Sequence, residues 1–180
     1  QLECDEDSLI IADTGGTTYD VSLVRKNRIP KTRETWIGQS FRGHMTGFPS
    51  IDIKSVGAGG GSIAKVDEGG ILHVGPSSAG AAPGPVCYDM GGTEATLTDA
   101  CLVLGYIDPS YFLGGEMSLN TNLAREVIKE QIARPLGLEI NSAAASIVSV
   151  ATENMVQAIS EITVNQGIDP AESVLIGGGG

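Results

Sequence analysis

Apolar residues alternate with polar ones over the first part of this chain and recur at helical spacing over the second. Residues 9–12 are a short apolar run that reads as a buried strand, and residues 19–24 alternate as a second strand after a glycine turn. Residues 27–30 make a turn, 31–37 a third strand and 38–48 a loop with few apolar positions. Ile51, Ile53 and Val56 around Asp52 and Lys54 predict a strand over 50–56 that leads into a glycine run. Residues 63–66 and 71–74 flank Asp67-Glu68-Gly69-Gly70, a hairpin signal. Residues 75–85 are rich in Gly, Pro, Ser and Ala, and a loop of that length inside a compact domain is commonly functional.

Helical spacing then takes over. Thr98 is positioned to cap a short helix that ends at Gly105. Residues 120–134 carry Leu123, Val127, Ile128 and Ile132 on one face, with Pro135 as the stop. Asn141 is positioned to cap the longest helix, which reaches about Gln166 and stops at Gly167. Its inner face carries Ile147, Val148, Ala151, Met155, Ile159 and Ile162. Residues 173–176 form a last apolar strand that runs into Gly177-Gly178-Gly179-Gly180. Strands, then helices, then a strand predict an α/β fold with helices packed on a sheet.

Composition narrows the function classes. With aromatics at 4% and 25 glycines, the core is aliphatic and the turns are many. The net charge of −11 argues against a nucleic-acid surface, since the one basic cluster, residues 25–33, reads as a solvated hairpin end. Cys4, Cys87 and Cys101 are odd in number and widely spaced, which points to neither zinc nor a disulfide framework and fits a reducing cytoplasm. No apolar run approaches the ~20 residues that a membrane span requires. Residues 1–8 are acidic and read as a linker. The start at Gln1 and the terminal glycine run suggest a piece of a longer polypeptide.

Asp13-Thr14-Gly15-Gly16-Thr17-Thr18-Tyr19-Asp20 carries the chemistry. A glycine pair between strands is often only a hairpin turn. A bare turn needs neither an aspartate at the strand end nor two threonines after the glycines. Phosphate held against magnesium needs all of these parts: backbone amides at Gly15 and Gly16, hydroxyls at Thr17 and Thr18, and a carboxylate at Asp13 for the hydrated metal. Asp20 reads either as part of this site or as a brace for the loop. Val56-Gly57-Ala58-Gly59-Gly60-Gly61-Ser62 lacks the Gly-Lys-Ser/Thr of a Walker loop and is balanced between a second cradle and a plain connector. Asp52, just upstream on the strand, reads either as catalytic or as merely exposed, its face being undetermined. Asp89-Met90-Gly91-Gly92-Thr93 repeats the first motif without an apolar strand before it, so it reads as a loop. Asp99 reads as a helix cap, His44 and His73 have no evident acid partner, Cys87 is no evident nucleophile, and Trp36 reads as packing.

These motifs, with Val74-Gly75-Pro76, Ser78-Ala79-Gly80, Pro83-Gly84-Pro85, Cys87-Tyr88, Gly91-Gly92-Thr93-Glu94, Thr98-Asp99-Ala100 and Phe112-Leu113-Gly114-Gly115, resemble the hydantoinase A / 5-oxoprolinase / acetone carboxylase beta-subunit family. The resemblance spans nearly the whole chain after residue 8. It implies an actin-like (ribonuclease H-like) ATPase lobe with a mixed sheet and packed helices over residues 9–180, the second of two lobes that clamp a nucleotide. It implies ATP and Mg2+ as cofactors, with Asp13 on the metal and Asp13 and Asp52 in catalysis. It places Gly15, Gly16, Thr17, Thr18, Asp20, Gly57, Gly59, Gly60, Gly61 and Ser62 around phosphate and Gly177, Gly178 and Gly179 around the nucleoside. The implied reaction is ATP-dependent opening of a cyclic amide, or ketone carboxylation, with a hydantoinase B-like partner subunit or domain and the first lobe completing the enzyme. The fragment alone is expected to be inactive. Two other readings stay open: a nucleotide-binding regulator on the same fold that does not turn over, and an interaction domain whose glycine loops merely turn corners.

Overall fold

A computed structural model describes residues 8–26, 28–37 and 42–179. In chain order the elements are β1 (Ser8–Thr14), β2 (Tyr19–Arg25), β3 (Lys31–Thr32), β4 (Trp36–Ile37), β5 (His44–Met45), β6 (Ser50–Ile51), β7 (Ile53–Val56), β8 (Ser62–Val66), β9 (Leu72–Ser78), α1 (Leu97–Val103), α2 (Thr121–Ile128), α3 (Arg134–Leu136), α4 (Ile140–Asn165) and β10 (Val174–Gly179). The chain divides into two compact units. The first comprises residues 8–13, 20–55 and 158–178, and the second residues 14–19, 56–157 and 179. The fold is mixed α/β, as the order of apolar rhythms predicts.

The first unit is organised on a sheet of order β10-β1-β2-β7. Strand alternation explains β2: Val21 and Leu23 are fully buried, while Asp20, Ser22 and Val24 between and beside them are only half-buried. Burying each of these two side chains contributes about 1.5–3 kcal/mol. Leu9, Ile10 and Ala12 are buried in β1, and Ala158, Ile162 and Thr163 in the end of α4 that belongs to this unit. That helix stops at Gly167, which turns left-handed (φ +64°) while Ile168 N–H reaches back to the Thr163 carbonyl.

Residues 31–37 do not form one strand. Only Lys31–Thr32 and Trp36–Ile37 are extended, and they pair with different partners, Ser50–Ile51 and His44–Met45. Arg33, Glu34 and Thr35 between them break the pairing, and the Thr32 hydroxyl accepts the Glu34 N–H to turn the chain there. The expected strand over 50–56 is likewise cut at Asp52 into β6 and β7. The loop expected over 38–48 contains β5, and residues 38–41 lie outside the described residues, as do Cys4 and Asn27.

The second unit packs the β8/β9 hairpin on helices. Its core joins Ala64 and Val74 of the hairpin to Leu97 and Ala100 of α1, Ile128 and Ile132, and Ala143, Ala144, Ile147 and Ala151 of α4. The small residues on α4 suit close approach. β9 runs to Ser78, so four residues of the expected loop over 75–85 are strand. Thr96, not Thr98, caps α1: its hydroxyl accepts Asp99 N–H and the Asp99 carboxylate accepts Thr96 N–H. Asn120 caps α2: its side-chain oxygen accepts Leu123 N–H at 3.2 Å. Pro135 does not end the helix. A π turn over Lys129–Ala133 precedes it, and the wider turn accommodates a ring that would clash in a regular α-helix. The stop is Gly137, left-handed at φ +66°. Asn141 lies inside α4, which begins at Ile140.

Candidate functional site

The turn over residues 14–19 and the glycine run over 57–61 lie together in the second unit. Gly15 N–H closes the turn on the Thr18 carbonyl at 2.8 Å. Gly60 N–H donates to the Gly15 carbonyl at 3.0 Å, and Gly61 N–H donates to the Gly16 carbonyl at 2.6 Å. These two bonds set the direction of two others. A trans peptide holds its C=O and the next N–H on opposite sides of one plane. Fixing the Gly15 carbonyl on the glycine run therefore directs the Gly16 N–H away from it, and fixing the Gly16 carbonyl does the same for Thr17 N–H. Among the described residues, neither of these amides donates to a protein acceptor. Gly16 and Thr17 are exposed. Two amides directed away from the glycine run on an exposed turn fit an anion.

The glycine run is a buttress rather than an open loop. Ala58, Gly59, Gly61 and Ser62 are buried, and the Ser62 hydroxyl donates to the Gly57 carbonyl at 3.2 Å. The Gly60 carbonyl accepts both Thr98 N–H and the Thr98 hydroxyl at 2.8 Å, and the Gly61 carbonyl accepts Ala79 N–H. Gly60 and Gly61 thus have their amides engaged with the turn. Ser78 adds a further support: its hydroxyl lies 3.3 Å from that of Thr17 and accepts Gly80 N–H. Ser78 and Thr98 were not singled out as site residues in the sequence. The Gly/Ser-rich stretch over 75–85 carried the signal for the first, and nothing local reveals the second.

A cavity of ≈ 440 Å³ opens from this turn within the same unit. Gly16, Thr17 and Thr98 line it together with Tyr88, Met90, Phe112, Leu113 and Met117. Tyr88 and Phe112 are tilted against each other with centroids 5.5 Å apart. Burial holds the Tyr88 phenol above its usual range, so it is neutral. The motif at residues 89–93 follows a single 3-10 turn, Val86–Tyr88, not a strand. That turn is tied down by Asp99, which is fully buried and accepts from Val86 N–H, Cys87 N–H, Thr96 N–H and the Thr96 hydroxyl. Burial first, and the Asp99 charge second, push the Cys87 thiol well above the ordinary thiol range, so it is inert.

Of the other candidates, Asp13, Asp20, Asp52, Gly177 and Gly178 belong to the first unit and Gly179 to the second. Asp13 is exposed near the end of β1. The Asp20 carboxylate accepts the Ser55 hydroxyl. The Asp52 carboxylate accepts Gln166 Nε2 at 3.0 Å. Gly177, Gly178 and Gly179 lie in β10, Gly179 with a positive φ of +80°. No group of three or more His, Cys, Asp or Glu that could hold a metal exists among the described residues. His73, expected to lack an acid partner, pairs with Asp67 in the second unit at 2.8 Å.

A family model described as Hydantoinase/oxoprolinase matches residues 2–180. The chain belongs to that family. It is 42% identical over 174 residues to the caprolactamase subunit alpha of Pseudomonas jessenii, covering 97% of this chain and 24% of that protein. It is 46% identical to the acetophenone carboxylase gamma subunit of Aromatoleum aromaticum, covering 96% of this chain and 23% of that protein. The crystal structure of the ATP-dependent caprolactamase from Pseudomonas jessenii matches with a TM-score of 0.86 over 98% of this chain and 25% of that one. This hydantoinase/oxoprolinase chain spans about a quarter of the length of these relatives.

Proposed function

We propose that residues 9–180 form the second lobe of an ATP-dependent enzyme that opens cyclic amides or carboxylates ketones. The observation that carries this reading is the pair of outward amides at Gly16 and Thr17, held in direction by Gly60 and Gly61. Relatives named as an ATP-dependent caprolactamase and as carboxylase subunits supply the reaction class.

The amides of Gly16 and Thr17 and the hydroxyls of Thr17 and Thr18 would hold phosphate oxygens, while the Gly15 N–H, which the sequence also offered to phosphate, is spent on closing the turn. Asp13, next to this turn in the chain, would hold hydrated Mg2+, an ion that keeps several waters and needs few carboxylates. ATP supplies the phosphoryl group that makes a carbonyl oxygen a better leaving group. The turn contributes fixed dipoles where negative charge gathers, and the Thr17–Ser78 pair keeps the Thr17 hydroxyl in place. Asp52 is proposed for catalysis, and Gly177, Gly178 and Gly179 for the nucleoside, on the strength of the family resemblance. A first lobe and a hydantoinase B-like partner would complete the enzyme. The free thiols of Cys87 and Cys101 fit a cytoplasmic location, and no helix among the described residues is long and apolar enough to cross a membrane.

Gly16→Ala and Asp13→Ala in the complete enzyme test this reading. A Cβ on Gly16 meets no atom within 4 Å, so the variant folds while its methyl obstructs the amides. Loss of charge-assisted bonds worth about 1.5–3 kcal/mol predicts roughly 10- to 100-fold weaker MgATP binding, read as lost thermal stabilisation by MgATP and a raised KM. Asp13→Ala should abolish magnesium-dependent ATP hydrolysis. Unchanged MgATP affinity in both variants would overturn the assignment, and binding without turnover by the unmodified enzyme would favour the regulator.

A further inference from the structure

Each outward amide of the turn ends a chain of linked peptide groups. For Gly16 N–H the chain runs back through the Gly15 carbonyl to Gly60 N–H, then through the Gly59 carbonyl to Ser62 N–H at 3.0 Å. For Thr17 N–H it runs back through the Gly16 carbonyl to Gly61 N–H, then through the Gly60 carbonyl to Thr98. The C=O and N–H at each step belong to one planar group, so each link fixes the direction of the next. The heads of the two chains differ. The first begins at a backbone amide alone. The second begins at both the amide and the hydroxyl of Thr98, each 2.8 Å from the Gly60 carbonyl oxygen. Two donors occupy both lone pairs of that oxygen and hold the Gly60–Gly61 plane, which neither glycine has a side chain to restrict. Hydrogen bonds in line also polarise one another, by about 10–30% per bond.

We infer that Thr98 is a positioning residue for the anion turn: its hydroxyl, acting through two peptide groups, aims the Thr17 N–H at phosphate and strengthens it as a donor. The inference rests on the phosphate reading of the turn and adds to it a residue that donates nothing to phosphate itself. Thr98 is 7% exposed and borders the same cavity as Gly16 and Thr17, but its hydroxyl proton is committed to the Gly60 carbonyl. It has none to give a phosphate oxygen, so its effect passes through the backbone.

Three substitutions in the complete enzyme test it. Thr98→Val keeps the shape and the backbone N–H and loses only the hydroxyl donor. Thr98→Ala removes the donor without setting a methyl against the carbonyl. Thr98→Ser keeps the donor. Calorimetry well below the melting temperature reads the MgATP affinity of the folded enzyme, which a role confined to stability leaves unchanged. Loss of one hydrogen bond predicts roughly 3- to 10-fold weaker MgATP binding in Thr98→Val and Thr98→Ala, and binding within about twofold of the unmodified enzyme in Thr98→Ser. In turnover, KM for MgATP should rise in the first two variants while kcat stays within about twofold, the mark of a lost binding contact. Full affinity in both Thr98→Val and Thr98→Ala, with binding weakened by Gly16→Ala, overturns this inference and leaves the phosphate turn standing. A Thr98→Ser enzyme as weak as Thr98→Val also overturns it, because the hydroxyl is then not the cause. MgATP affinity that survives Gly16→Ala as well overturns both readings.

Discussion

A methyl group on Gly59 would lie 2.6 Å from the carbonyl oxygen of Gly15 and equally close to the backbone of Thr17. No L side chain fits there, because the obstructing atoms are backbone. The glycine is required by the approach of two chain segments, and that approach is what orients the amides of Gly16 and Thr17.

Gly59→Ala and Gly16→Ala should therefore fail in different ways. The first overpacks a buried contact and should cost about 1–3 kcal/mol. At about 2–4 °C per kcal/mol, this is a visible fall in the melting temperature without nucleotide. The second meets open space and should leave that temperature unchanged while weakening MgATP binding. Melting curves with and without MgATP separate the two, and equal apo melting temperatures would refute the buttress.

The turn was legible in the sequence because its parts are local: a strand end, two glycines and two threonines. The function of the glycine run was not. Gly57-Ala58-Gly59-Gly60-Gly61 reads equally as cradle or connector until its partner is known, and that partner lies more than forty positions upstream. Helix existence was legible from spacing and helix ends less so. Thr96 and Thr98 are both plausible caps by residue type, and the deciding bond runs to Asp99. Pro135 predicts a stop that the π turn removes. The apolar lining of the cavity was invisible, because Tyr88, Phe112 and Met117 have no common period and meet only in the fold.

Asp99 is a second structural keystone open to test. Its buried carboxylate accepts four bonds, which fasten the Val86–Tyr88 turn to the start of α1. Asp99→Asn keeps the shape but turns an N–H2 toward groups that are themselves donors. Leaving buried donors unpaired should cost about 3 kcal/mol. Chemical denaturation should show a lower midpoint, and the buried Cys87 thiol should become accessible to alkylation sooner. An unchanged midpoint would remove Asp99 from this role.

Acid should weaken the β8/β9 hairpin through Asp67. Its carboxylate accepts Ile71 N–H, faces His73 and accepts Gly69 N–H, and these contacts lower its pKa below the usual 3.8. A group whose folded pKa is depressed contributes stability above its unfolded value and loses it as pH falls through the folded value. The stability difference between the unmodified chain and Asp67→Asn should therefore be constant near neutral pH, shrink below about pH 3.8 and vanish at still lower pH. Denaturant midpoints across pH 2–7 check this, and a gap that widens on acidification would contradict it.

Asn120 links helix stability to the cavity wall. Its Oδ1 accepts Leu123 N–H at the start of α2, and its Nδ2 donates to the Asp89 carboxylate at 3.1 Å. Asp89 is left-handed (φ +58°) and directly precedes Met90, which lines the cavity. Asn120→Ala loses both bonds and should cost about 1–2 kcal/mol. Asn120→Asp keeps the cap but sets a second carboxylate beside Asp89, so its deficit should shrink as added salt screens the pair. Asn120→Ser restores the cap without the charge and should recover most of the stability without that salt dependence. Melting temperatures of the three variants at low and high ionic strength distinguish cap from tether. If Asn120→Asp and Asn120→Ser behave alike at low salt, the Asp89 contact contributes nothing and the cap alone matters.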